Sequence, residues 1–238
     1  MTTSRLKVFI GWDSREIEAY EVARHSLLKH ASIPVDVIPL KQEELRAKGV
    51  YARPADPRAS TEFTYTRFLT PYLSGYEGMS LFFDCDFMWR DDVAKLTACF
   101  EPGKAVSCVH HDYRPPEKTK MDGCKQEQYP RKNWSSLILF DCSHEYCKRL
   151  TPECVNTAEP AYLHRLAWVE DDAIGELSPK WNWLEGWYST ERGDPEPGAV
   201  HFTRGGPWFA DWQDVDYADE WHRELDEVMR GKKSSAVS

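Results

Sequence analysis

The chain has 238 residues, enough to bury a sizeable core as one domain, or one domain with a long insertion. Its formal charge of −9 argues against a nucleic-acid or anionic-membrane surface, both of which need a cationic stripe. An anionic nucleotide stays admissible, because a bound cation can invert the charge of one pocket.

Leu6 to Gly11 reads as a first buried strand. Asp13 then opens a helix, with Glu16 three residues later in a capping-box pattern and Ile17, Tyr20, Val22, His25, Leu27 and Leu28 as its apolar stripe. Val35 to Leu40 is the second strand, followed by a short helix ending near Gly49. This alternation predicts an α/β fold, a mostly parallel sheet with helices on both faces. Residues 50–60 carry two prolines and form a loop, and a helix from about Thr61 to Leu73 leads into the strand from Met79. Further strands are predicted at 105–110 and 135–141. Between them residues 112–132, dense in Pro, Lys, Gly and Gln, form a flexible flap. Helices follow at 144–150 and 161–169, and a last amphipathic helix spans 217–230 before a frayed tail at 231–238. No apolar run is long enough to span a membrane, and Met1-Thr-Thr-Ser-Arg5 lacks the apolar core of a signal peptide. The seven cysteines, odd in number and without C-x-x-C, suggest reduced thiols and a cytoplasmic location.

The most informative segment is Leu81-Phe-Phe-Asp84-Cys85-Asp86. In extended chain, alternate side chains share a face, so Asp84 and Asp86 point together and Cys85 points away. Two hard oxygen donors suit Mn²⁺ or Mg²⁺, the cations that hold a phosphate or diphosphate leaving group. Asp214-Val-Asp216 has the same spacing, but no buried strand delivers it to a cleft, and it reads as a solvated surface pair. His201 adds an imidazole that favours Mn²⁺. It precedes Gly205-Gly206-Pro207-Trp208, whose bare backbone suits a close approach to phosphate. Arg67, between apolar neighbours, needs a phosphate or a carboxylate such as Asp86. Gly11-Trp12-Asp13 follows the first strand at the rim where open α/β sheets bind ligands, so Asp13 can serve a ribose hydroxyl, a uracil N–H or its own helix. Glu170-Asp171-Asp172 is either a solvated turn or a group that binds acceptor hydroxyls. Half of the ten tryptophans lie in 181–212, as sugar-ring walls or as core.

Taken in order, Val8 to Asp13, Tyr65-Thr-Arg67-Phe, the D-x-D segment, Glu170 to Asp172 and His201 to Trp208 resemble glycosyltransferases of the GT-A fold, family eight and its bacterial relatives in particular. The resemblance implies a single Rossmann-like domain over 1–238 that moves a sugar, with retention, from a UDP-linked donor to a hydroxyl acceptor such as a glycan or lipid-linked sugar. It implies Asp84, Asp86 and His201 as Mn²⁺ (or Mg²⁺) ligands, and Asp13, Gly11, Arg67, Asp84, Gly205 and Gly206 around the donor. Asp171 would lie near the reacting carbon, with Glu170 beside it. Two positions depart from the family: Gly206 stands where a lysine precedes Pro-Trp, with Arg204 as its nearest substitute, and Asn133-Trp-Ser135-Ser136 replaces Asn-Ser/Ala-Gly. The rival readings are a haloacid-dehalogenase-like phosphatase, whose first D-x-D acid is a nucleophile, and a catalytically silent nucleotide-sugar-binding module.

Overall fold

A computed structural model describes residues 5–57, 59–112 and 130–235. Most of the predicted flap therefore lies outside the described residues. Strands β1 (Leu6–Gly11), β2 (Val35–Leu40) and β3 (Met79–Phe83) are mutually parallel, with β1 in the middle. β4 (Phe87–Trp89) leaves this sheet, whereas β5 (Val106–Val109), β6 (Leu137–Asp141) and β7 (Ile174–Leu177) complete it in the order β2-β1-β3-β6-β5-β7. Of the six strands only β6 runs against the others, pairing antiparallel with both β3 and β5. Pro39 sits on β2, at the edge, where its missing N–H costs no ladder bond to an outer neighbour. Val8, Phe9 and Ile10, and likewise Leu81, Phe82 and Phe83, are buried in succession. Both faces of the sheet are therefore covered, as the near-continuous apolar runs require.

The helices are α1 (Ile17–His30), α2 (Gln42–Ala47), α3 (Thr70–Leu73), α4 (Val93–Thr97), α5 (Pro152–Thr157), α6 (Pro160–His164) and α7 (Ala218–Ser235). α7 continues five residues into the segment expected to fray, packed along α1 with Lys232 Nζ 3.0 Å from Glu21. The helix predicted over 61–73 is shorter and split: turns cover 61–65, a 3₁₀ segment spans Thr66–Leu69, and α3 follows. Pro71 causes the break, since it cannot donate to the Arg67 carbonyl; the Thr70 hydroxyl donates to that oxygen instead, at 2.8 Å. The helix predicted at 161–169 stops at His164, where Leu166 takes a left-handed φ of 53° and buries its side chain. A 3₁₀ turn at Cys147–Arg149 stands in place of the helix predicted at 144–150.

A second, three-stranded sheet joins β4, β9 (Ala199–His201) and β8 (Trp183–Leu184) in the order β4-β9-β8. Trp89, Trp168, Trp181, Trp183 and Trp221 are fully buried, so much of the tryptophan excess is core rather than sugar-ring wall. The described residues contain no helix long and apolar enough to cross a membrane.

Candidate functional site

The D-x-D triplet is the hinge between the two sheets. β3 ends at Phe83, Cys85 and Asp86 form a turn, and β4 begins at Phe87. The two acids are thus carried on a turn and not, as expected, on the continuing strand; they still face one place while Cys85 is buried at 1% exposure. Because β6 is reversed, its amino end lies at the tip of β3, and the Ser136 carbonyl accepts the Asp84 N–H at 2.9 Å. In the second sheet Phe87 lies opposite His201, and the Phe202 N–H donates to the Asp86 carbonyl at 2.9 Å. Directly opposed residues share a face, so this register alone delivers the late histidine to the turn.

The result is a compact trio: one ligand atom each from Asp84, Asp86 and His201 lies within 4.8 Å of the other two. His201 Nε2 is 3.2 Å from Asp86 Oδ2, and its ring stacks on Phe87 at 4.4 Å. Burial pushes the Asp86 carboxyl up, but the His201 imidazole outweighs it by charge and hydrogen bond, with Arg67 adding to the pull, and the net shift is downward. Asp86 Oδ1 is buried and accepts no hydrogen bond among the described residues. A buried carboxylate oxygen without a donor is costly. Two carboxylates and one imidazole gathered this closely, one carboxylate oxygen having no donor among the described residues, fit a divalent cation of the Mn²⁺ or Mg²⁺ kind.

Arg67 is 6% exposed, and its carboxylate partner is Asp84: Nη1 lies 2.7 Å from Asp84 Oδ1 and donates to the Ser135 carbonyl at 2.8 Å. Its Nε donates to the Thr64 carbonyl at 3.1 Å. The guanidinium therefore braces the first acid from below.

Asp13 is fully buried but caps no helix; α1 starts at Ile17 with Glu16 at its N-cap. The Asp13 carboxylate accepts from the Arg15 amide at 3.0 Å, from Arg15 Nε at 2.9 Å and Nη2 at 2.7 Å, and from the Glu62 amide at 3.1 Å. Burial alone would raise its carboxyl, yet these Arg15 and Glu62 contacts prevail and hold it below the ordinary range. Gly11 is needed for packing, since a Cβ there would meet the Phe63 ring at 2.6 Å.

Glu16, expected only as a capping partner, turns out to belong to the rim. Burial, then the charges of Asp86 and Asp13, raise its carboxyl to about 8 against the pull of Arg15, with Asp84 adding to the rise. The folded state then holds a proton that the unfolded chain releases near pH 4.5, so Glu16 costs no stability in acid and progressively more as pH climbs to about 8. Glu16→Gln, neutral throughout, is expected to melt with the wild type near pH 4.5 and above it at pH 8–9 in EDTA. Equal melting temperatures at pH 9 would remove Glu16 from the acidic rim.

Other expected residues are not brought to the trio. Glu170, Asp171 and Asp172 precede β7 and are exposed. The carboxyl end of β3 carries the two acids of the trio, whereas β7, parallel to β3, begins at the opposite edge. The Asp171 side chain is 84% exposed and pairs with Arg131 at 2.5 Å, which does not support the expected catalytic roles of Asp171 and Glu170. Gly205 and Gly206 are buried instead of bare: the Gly205 N–H donates to the Phe202 carbonyl at 2.9 Å, and the Trp208 ring lies against Gly206. Arg204 pairs with buried Glu185, Nη2 to Oε2 at 3.0 Å. Asp214 and Asp216 are exposed on turns, as expected of a solvated pair. A second cluster of His25, Glu224 and Glu227 already has its cation, since Lys29 Nζ lies 2.8 Å from Glu224 and 2.9 Å from Glu227.

No protein-family model matches the chain. It is 48% identical over 232 residues to Protein CDI of Arabidopsis thaliana, covering 97% of this chain and 90% of that protein. The chain belongs to the Protein CDI family. Among solved structures, this CDI-family chain resembles the WbbM bifunctional glycosyltransferase, with a TM-score of 0.66 and 14% identity over 95% of this chain. It spans about half of that protein, 51% of its length. It also resembles the galactosyltransferase LgtC, solved with donor and acceptor sugar analogues, with a TM-score of 0.61, 12% identity and coverage of 93% and 96% of the two chains. The fold is that of the GT-A glycosyltransferases.

Proposed function

We propose that the chain is a metal-dependent glycosyltransferase of the family-eight type, moving a sugar from a UDP-linked donor to a hydroxyl acceptor, a glycan or lipid-linked sugar being the simplest. Retention at the anomeric carbon and a cytoplasmic location belong to the same reading. The observation that carries it is the Asp84–Asp86–His201 trio at the carboxyl edge of a GT-A sheet, where open α/β sheets bind ligands. Free thiols at Cys85, Cys99, Cys108, Cys142, Cys147 and Cys154 accord with a reducing location.

Bound at the trio, Mn²⁺ or Mg²⁺ supplies charge that stabilises a departing diphosphate. The protein's own contribution is preorganisation. Arg67 holds Asp84 at 2.7 Å, the Ser136 carbonyl fixes the Asp84 amide, and the β4–β9 register fixes His201 against Asp86. These contacts hold the three side chains together before a cation arrives, which lowers the reorganisation cost of binding. Asp13, ionised and clamped, gives the rim a further fixed negative charge beside Glu16. The phosphatase alternative has less support, because a nucleophilic first acid has to be free to attack and Asp84 is held by Arg67.

The test is a thermal-shift screen of nucleotide sugars in Mn²⁺ and in EDTA, followed by assay of nucleoside diphosphate release. A donor at about a hundredfold excess over its Kd adds about 2.7 kcal/mol, or about 5–11 °C for a chain of this size. That shift is expected with UDP-sugars in Mn²⁺ and not in EDTA. Binding without UDP release under any acceptor would instead mark a silent module.

A further inference from the structure

The trio presents only one of the two His201 ring nitrogens, and which nitrogen carries the proton decides whether the imidazole can be a ligand at all. A chain of hydrogen bonds behind the ring answers this from its far end. The Asn133 backbone carbonyl can only accept, so Ser136 Oγ, 2.6 Å away, donates its single proton there. That hydroxyl then has only lone pairs to offer Asn182, and the atom it faces at 2.8 Å is the amide nitrogen Nδ2. The Asn182 amide is thereby oriented with its oxygen towards His201, where Oδ1 lies 2.8 Å from Nδ1. An amide oxygen cannot donate, so Nδ1 must carry a proton. Asn182 is 0%, His201 2% and Ser136 3% exposed, so water has little access to reverse the order. Ser136 also holds the Asp84 amide through its carbonyl, so a single residue positions both arms of the trio.

We infer that Asn182 is a positioning residue that keeps the proton on His201 Nδ1, so that Nε2, 3.2 Å from Asp86 Oδ2, is the nitrogen that gives up its proton and offers a lone pair to a divalent cation shared with Asp84 and Asp86. The inference deepens the metal-dependent reading above and rests on it. Ligating histidines gain orientation and basicity in this way from the partner of their other nitrogen.

Two measurements test it. In protein labelled with ¹⁵N-histidine, metal-free at pH 9, the neutral His201 ring is expected as Nδ1–H in the wild type. It is expected to be mixed in Asn182→Leu and in Ser136→Ala, the second variant keeping the amide while removing the hydroxyl that orients it. Mn²⁺ affinity, read by electron paramagnetic resonance, is expected to fall about 10- to 100-fold in Asn182→Leu. It should remain within several-fold of wild type in Asn182→Asp, which keeps an acceptor for Nδ1–H. Wild-type His201 found as Nε2–H, or Asn182→Leu binding Mn²⁺ as tightly as wild type, overturns the role of Asn182. Wild-type protein that shows Nδ1–H yet binds no Mn²⁺ overturns the metal site and the positioning role with it, and separates that failure from an error in the hydrogen-bond chain.

Discussion

Asp86→Asn is expected to abolish Mn²⁺-dependent UDP binding while the protein stays folded. The substitution keeps the shape of the side chain and removes one of the two charges in the trio. It also replaces one carboxylate oxygen, whether Oδ1, which is buried without a hydrogen-bond donor among the described residues, or Oδ2, which lies 3.2 Å from His201 Nε2. Loss of groups that merely orient a ligand costs about 10- to 100-fold in metal affinity, so loss of a charged ligand is expected to cost more than about a hundredfold. Titration calorimetry of UDP in Mn²⁺ reads the effect, and circular dichroism confirms the fold. Unchanged Mn²⁺-dependent affinity would place the cation elsewhere.

The largest effect on stability is expected from Arg67→Met. The methionine keeps apolar packing between Phe63 and Phe82, whose rings lie 5.3 and 5.2 Å from the guanidinium carbon. It deletes the cation beside Asp84 and the donors to the Thr64 and Ser135 carbonyls. Both members of the pair are largely buried, with side-chain exposures of 7% and 14%. Removing one partner of such a pair costs about 3–5 kcal/mol, or about 6–20 °C in a chain of this length. Adding Asp84→Asn to Arg67→Met should restore part of the loss, because the buried charge left behind is then gone. Mn²⁺ should raise the melting temperature of Arg67→Met more than that of the wild type, since a divalent cation replaces the missing guanidinium. Calorimetric melting of the wild type, Arg67→Met, Asp84→Asn and the double variant checks this, and strictly additive losses would show that Arg67 and Asp84 are not coupled.

The parts of this molecule that were legible in its residues are those governed by local pattern. β1 and β2 run over the predicted residues because an apolar run bounded by turn formers has few other uses. The D-x-D acids and the late histidine were legible as candidate ligands of one cation because their donor chemistry is specific, and the structure brings all three together. What stayed hidden depends on long-range pairing. Nothing local tells that β3 and β4 belong to different sheets, or that Phe87 faces His201 more than a hundred residues later. Arg67 was recognised as needing an anion, but its choice of Asp84 over Asp86 is made by the tip of β6. The family resemblance gives Glu170 and Asp171 a place near the reacting carbon, whereas the turn that carries them ahead of β7 is exposed. Asn182 sits inside an aromatic stretch whose tryptophans drew the eye, and only the second sheet reveals its place behind His201. The Asp13–Glu16 spacing shows the limit of short motifs: a capping box fits it, yet Arg15 and Glu62 take the Asp13 oxygens and the helix begins later.

Anomalous diffraction at the manganese edge, from crystals grown with Mn²⁺ and UDP, tests the central claim most directly. The account predicts one strong peak within coordination distance of Asp84, Asp86 and His201 Nε2, with the diphosphate of UDP completing the sphere. A peak elsewhere with UDP still bound, or UDP seated away from the carboxyl edge of β1 and β3, would contradict it.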